Sequence, residues 1–239
     1  METFSTVLFS LAVIILAVAF AAHVGHAVLL ANGRRVVELA TAAVPAAQPA
    51  LAGAGASGSF VAARAARAAA APTLAASPSS LSGVASWLTV GVFALLVASL
   101  AIRGVLVGRG PWGNLYEFSV AFGASILGGY LFLARRYPIR QIGFIPAAVA
   151  LGLLLYASSL PSEIRPLVPA LQNAPLLTIH VGMAVIAYGI FATAFAAGVG
   201  YLAQGTRDRF AWLPSHKTLD EVAYRAVIIG FPVFATMIV

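Results

Sequence analysis

The chain has 239 residues, 61% of them hydrophobic and 9% charged, with a mean hydropathy of +0.97. Soluble domains carry about 25% charged residues, so this composition excludes an ordinary soluble fold and makes lipid the solvent for much of the surface. The net charge of +7 sits between apolar runs and reads as membrane topology rather than as a nucleic-acid footprint. The absence of cysteine removes disulfides, thiolate metal sites and a catalytic thiol.

The apolar runs are long and do not alternate, which predicts helices rather than a β-barrel. The expected fold class is all-α, a polytopic membrane helical bundle with about six transmembrane helices. The first run, Phe4–Leu30, lacks a preceding Lys or Arg and a nearby small-residue cleavage site, so it reads as a retained helix within a segment 1–31. Residues 32–83 are rich in Ala, Pro, Ser and Gly and read as a low-complexity linker, with a short helix around Ser59–Ala71. Residues 84–239 form the main membrane domain. Its spans are Val84–Val107, Leu115–Ala134, Ile142–Ser159, Leu176–Ala203 and Val222–Val239. Gly108–Asn114 is a Gly/Pro turn, and the four prolines at 161, 166, 169 and 175 make Leu160–Pro175 a loop or broken helix.

Charge gives the bundle a direction. Arg34, Arg35, Arg64 and Arg67 lie in 32–83, Arg135, Arg136 and Arg140 in 135–141, and Arg207, Arg209 and Lys217 in 204–220. These are ten of the fourteen Lys and Arg, all between alternate pairs of spans. Only Arg103, Arg109 and Arg165 fall in the opposite loops. The positive-inside rule therefore places the N-terminus outside, the linker in the cytoplasm and the segments Arg109–Phe118 and Leu160–His180 together on the extracytoplasmic face.

Those two segments hold most of the unusual polar chemistry. His180 lies a few residues inside the fifth span, where an ionisable group is costly and usually faces a cavity or the bundle interior. A neutral imidazole there suits an axial ligand of haem iron; a hydrogen-bonded interface histidine is the plainer alternative. His23 and His26, three apart near the inner end of the first helix, could face a cofactor or snorkel to headgroups. Their depth is opposite to that of His180. His216 beside Lys217 reads as a solvated surface residue. Glu117 opens the third span, where the helix macrodipole favours a carboxylate; it could also fix the outer loop or touch a polar ligand. Trp112 and Tyr116 are interface aromatics with the same two readings. The glycines at 128, 129, 182, 189, 198 and 200 read as close helix packing.

Four segments carry a family resemblance. Trp112-Gly113-Asn114-Leu115-Tyr116-Glu117-Phe118 resembles the outer-loop segment of the cytochrome c assembly family of CcsA/ResC type. Leu167-Val168-Pro169-Ala170-Leu171-Gln172, followed by Leu177-Thr178-Ile179-His180-Val181, resembles the stretch before its first external histidine. Tyr188-Gly189 and Phe191 fit the same helix. Leu219-Asp220-Glu221, Tyr224-Arg225, Gly230-Phe231-Pro232 and Thr236 resemble the helix that leads into its tryptophan-rich loop. The resemblance runs in order from about residue 84 to Val239, where the chain stops before that loop and before the later histidines, and so reads as truncated.

The resemblance implies a function in cytochrome c-type biogenesis of the system II kind. Such proteins bind or export haem b at the outer face of the bacterial cell membrane and present it to apocytochrome c for covalent attachment. A CcsB/ResB-type membrane protein is the implied partner, along with apocytochrome c, haem and the lipid bilayer; nucleic acid is not. His180 would be the axial ligand of the haem iron, with Trp112, Asn114, Tyr116 and Glu117 at the outer-face site. A place in a cytochrome c synthase (haem lyase) complex follows, either catalysing thioether formation or only positioning haem. Two alternatives need no such site: a transporter or permease subunit without haem, and a structural subunit of a respiratory complex holding haem between two histidines at one depth.

Overall fold

The computed structural model describes residues 1–42, 76–164 and 174–238. The expected helix around Ser59–Ala71, the motif at 167–172, Arg165 and Val239 lie outside those residues. The described chain is helical: α1 Glu2–Ala42, α2 Ala76–Val107, α3 Leu115–Ala134, α4 Phe144–Ser158, α5 Ala174–Gln204 and α6 His216–Ile238. Short 3-10 turns at Arg140–Ile142 and Gly205–Arg207 lead into α4 and out of α5. Consecutive helices run up and down, so the chain forms a bundle with two ends. One end carries the starts of α1, α3 and α5 together with His180. The other, the arginine end, carries Arg135, Arg136 and Arg140.

Five helices are long and apolar enough to cross a membrane: Glu2–Gly33, Ser80–Val107, Leu115–Ala134, Arg140–Ser158 and Pro175–Arg207. The sixth expected span is a helix but is not among the five. Lys217, Asp220, Glu221 and Arg225 occupy its first turns, leaving an apolar stretch from Ala226 to Ile238.

The α1–α2 pair shows how the sequence builds the bundle. On α1 the buried positions facing α2 are Ser5, Phe9, Ala12, Leu16, Ala19, His23 and His26, with Ala27 buried beside the last of them. On α2 they are Ser82, Ala85, Thr89, Val92, Leu96, Ser99 and Arg103. Both sets alternate steps of four and three, the spacing of a coiled-coil seam. The opposite face of α1, with Phe4, Val7, Leu11, Ile14 and Val18, is exposed and apolar, as a lipid-facing stripe should be. Seven of the fourteen seam positions are polar: Ser5, His23, His26, Ser82, Thr89, Ser99 and Arg103. Lipid tails are as apolar as Leu, so hydrophobicity alone does not hold membrane helices together; small residues and interhelical hydrogen bonds must do so. Ser99 Oγ donates to the Ser5 carbonyl at 2.8 Å, and His23 Nε2 meets Thr89 Oγ1 at 3.1 Å.

α3 is the central helix and is buried along most of its length. It meets α5 backbone to backbone: a Cβ on Gly129 would collide with the Gly189 carbonyl, and one on Gly189 with the Ser125 carbonyl. The expectation of glycine packing holds there and at Gly128, against Phe93, and Gly200, against Leu219. Gly198 has open space around it and serves no such contact.

Candidate functional site

The turn between α2 and α3 is built from its glycines. Gly108 takes a φ of 64°, which lets the chain leave α2 sharply. The Trp112 indole lies over Gly110, and the Arg109 guanidinium lies over Gly113, leaving no room for a Cβ at either position. Asn114 then caps α3: its backbone is extended, and its Oδ1 accepts from the Glu117 amide at 2.8 Å. Its Nδ2 donates to the Glu163 carbonyl at 3.0 Å, tying this turn to the α4–α5 connection.

Glu117 sits at the centre of this end and is fully buried. One carboxylate oxygen accepts from Arg103 Nε at 3.0 Å. The other accepts from the Gly113 amide at 2.8 Å and lies 3.9 Å from Arg109 Nη1. The Asn-x-x-Glu spacing is therefore a variant of the capping box, with the carboxylate reaching back past the cap. Both oxygens are taken by the chain's own donors, so this side chain holds the turn.

Arg103 is the residue that sequence reasoning misplaced. Its position at the edge of an apolar run suggested an outer-loop cation, yet it lies inside α2 with 1% of its side chain exposed. Its Nη2 donates to the Ser162 carbonyl at 2.6 Å, and its guanidinium stacks 5.0 Å from the centre of the Tyr116 ring. The signal that could have found it is energetic. A buried guanidinium requires a buried carboxylate, and Glu117 was the one anomaly on the next helix. Tyr116 is buried between Arg103 and Phe9, whose ring it meets edge-on at 5.1 Å. Its hydroxyl has no partner.

His180 is placed differently. It is exposed, and its Nδ1 lies 2.9 Å from the Met237 carbonyl near the end of α6. A carbonyl oxygen only accepts, so Nδ1 carries the hydrogen and Nε2 of the neutral ring keeps its lone pair. A backbone carbonyl on one nitrogen is the usual way a protein fixes the tautomer and direction of a ligating imidazole. Trp112 packs against the buried cluster of Ala121, Val181 and Val185, whose α5 members lie on the same stretch that carries His180. The structure thus brings all five predicted residues to one end but not to one surface. Trp112 and His180 lie on the α5 side, whereas Tyr116 and Glu117 face inward toward α1 and α2, with Asn114 at the cap above them.

The other histidines lie elsewhere. His23 and His26 are buried toward the arginine end, opposite to His180 in depth, so neither shares a depth with it. His216 is bound to Asp208 at 3.0 Å through Nδ1. Gln204, unremarked in the sequence, is buried and binds Phe210 N, Phe210 O and Pro214 O, folding the α5–α6 connection onto itself. No group of three or more His, Cys, Asp or Glu that could hold a bare metal ion occurs among the described residues.

The profile of the cytochrome C assembly protein family matches residues 112–239, a stretch that starts at Trp112 and includes Glu117 and His180. The chain belongs to this family. Protein HemX of Brevibacillus brevis is 28% identical over 159 residues, covering 64% of this chain and 58% of the relative. Cytochrome c biogenesis protein CcsA of Porphyra purpurea is 33% identical over 116 residues, 47% of this chain and 36% of the relative. CcsA of Picosynechococcus is 33% identical over 125 residues, with the same two shares. The chain therefore spans about a third to under two thirds of the relatives it matches. No solved structure matches it. Within this cytochrome c assembly chain the family match begins after Arg103, so the buried partner of Glu117 comes from the part outside it.

Proposed function

We propose that this protein serves cytochrome c biogenesis by holding haem at the His180 end of the bundle and presenting it to apocytochrome c. The observation that carries the reading is His180: an exposed imidazole whose Nδ1 is held by the Met237 carbonyl, leaving Nε2 for iron. In this reading haem b is the cargo, and His180 is its axial ligand. Trp112 lines the same end as an apolar wall. Asn114, Tyr116 and Glu117 act as positioning residues that hold the turn bearing Trp112. In this reading the end faces the extracytoplasmic side of the bacterial membrane with the N-terminus outside, an orientation that the distribution of Lys and Arg supports. A CcsB/ResB-type protein is the proposed membrane partner.

The test is the haem content of the purified protein. Replacing His180 by Gly is expected to lower bound haem and shift its Soret band, and millimolar imidazole should restore the band by refilling the vacated ligand position. Haem content and spectrum unchanged in His180→Gly would overturn the assignment. Haem-independent substrate flux in liposomes would favour a permease instead.

A further inference from the structure

We propose that the arginine end binds one anionic phospholipid, with its phosphate headgroup among Arg135, Arg136, Arg140 and His26 and an acyl chain along Trp87, Val90 and Leu131. A cavity of about 670 Å³ opens between α1, α2 and the α3–α4 connection, lined by those three arginines, His26, Ser82 and Gln141. The three guanidiniums are exposed, and none pairs with a carboxylate among the described residues. Guanidinium forks match phosphate oxygens well. Basic pockets between helices at a membrane surface suit anionic headgroups.

His26 supplies an independent observation. It is 6% exposed, lines the cavity, and its Nδ1 has no hydrogen-bond partner. A buried polar atom left unpaired is costly, and a headgroup oxygen or the water it carries would satisfy it.

A second cavity of about 390 Å³ shares Ala134, Arg135 and Arg140 with the first. Its other walls include Trp87, Val90 and Leu131. Along α2 the step from Gly83 to Val90, and along α3 the step from Arg135 back to Leu131, both lead toward the middle of the bundle. The groove therefore starts at the guanidiniums and runs into the depth where acyl chains lie. Trp87 is 77% exposed there, and its ring can pack against hydrocarbon. A free anion would use only the first cavity; an anionic lipid uses both. This inference does not depend on the haem reading.

Native mass spectrometry of the full chain in nonionic detergent tests it. Dioleoyl phosphatidylglycerol is expected to bind at least tenfold more tightly than dioleoyl phosphatidylcholine. Arg135→Gln and Arg140→Gln should each weaken the former about fivefold, as a surface arginine near an anionic lipid does. Trp87→Ala should weaken dioleoyl but not dihexanoyl phosphatidylglycerol. Melting temperatures in phosphatidylcholine should be unchanged in all three variants, which shows that they fold. Equal binding of the two dioleoyl lipids, or no loss in both arginine variants, overturns the proposal. So does full displacement of the lipid by millimolar inorganic phosphate, which would make the site one for free anions.

Discussion

The two ends of the bundle handle charge in opposite ways. At the His180 end, Arg103 and Glu117 are both about 99% buried and bound to each other; Arg103 Nη2 also reaches Ser162 O and the second Glu117 oxygen reaches Gly113 N. At the arginine end, Arg135, Arg136 and Arg140 stay exposed and pair with no carboxylate among the described residues. Burial makes the first arrangement a matter of stability, because either charge alone would be stranded in a low-dielectric interior. Exposure makes the second a matter of binding, because water solvates the guanidiniums until an anion replaces it. The same residue type thus does structural work at one end and recognition at the other.

The sharpest way to break this comparison is to remove one charge from each end. Glu117→Ala strands Arg103 and is expected to cost about 3–5 kcal/mol, read as a fall in the thermal midpoint by tryptophan fluorescence. Arg140→Gln should stay within about 0.5 kcal/mol of the parent. The double variant Arg103→Met, Glu117→Leu should recover most of the loss, since an apolar pair of similar volume replaces a buried ion pair at little cost. Equal losses from Glu117→Ala and Arg140→Gln would dissolve the distinction between the ends.

A packing change should ignore that distinction. Gly189 touches the Ser125 backbone of α3, away from both charge clusters. Gly189→Leu should part α3 from α5 and cost about 1–3 kcal/mol by overpacking. Gly198→Ala, on the same helix with nothing within 4 Å, should be neutral or slightly stabilising because it trades glycine for a helix former. If Gly198→Ala proved as damaging as Gly189→Leu, the close approach at Gly189 would not be what holds the two helices.

Much of the fold was legible because apolar length is a direct physical requirement of the bilayer. The bounds of α3 came out residue for residue as Leu115–Ala134, where a Gly/Pro turn and an arginine pair mark the ends. Arg103 was not legible, because its burial depends on which helix faces α2 and on Glu117 lying within reach across the turn. The heptad seam of α1 and α2 is present in the sequence but becomes visible only when polar residues such as His23 and Thr89 are read as interior. The role of Glu117 was half legible: its place at a helix start was clear, whereas its bond to Gly113 N depends on the path of the turn. The hydrogen bond of His180 to Met237 O is a backbone contact between α5 and α6, and no side-chain pattern reports it. Arg135, Arg136 and Arg140 were read as topology alone, since a cavity arises from packing.

The smallest effect belongs to the exposed α5–α6 connection at the arginine end. Asp208 adopts a φ of 48°, and its carboxylate accepts from the His216 amide at 2.6 Å and lies 3.0 Å from the His216 ring nitrogen. The His216 amide chiefly holds the Asp208 carboxyl below its usual range, with the imidazole and Lys217 adding to this. A carboxyl depressed in the folded state contributes stability that is present above its unfolded value, near 4. That contribution fades as pH falls below that value through the lower folded one. Asparagine tolerates the left-handed backbone and keeps an acceptor oxygen but cannot titrate. Asp208→Asn should therefore flatten the acid dependence of amide exchange in 208–216 below pH 4 and leave it nearly unchanged at pH 7. An unaltered acid dependence in that variant would mean that the start of α6 is anchored by packing alone, as Leu219 and Val222 are in the core, and that the charge contrast between the ends stops at the three arginines.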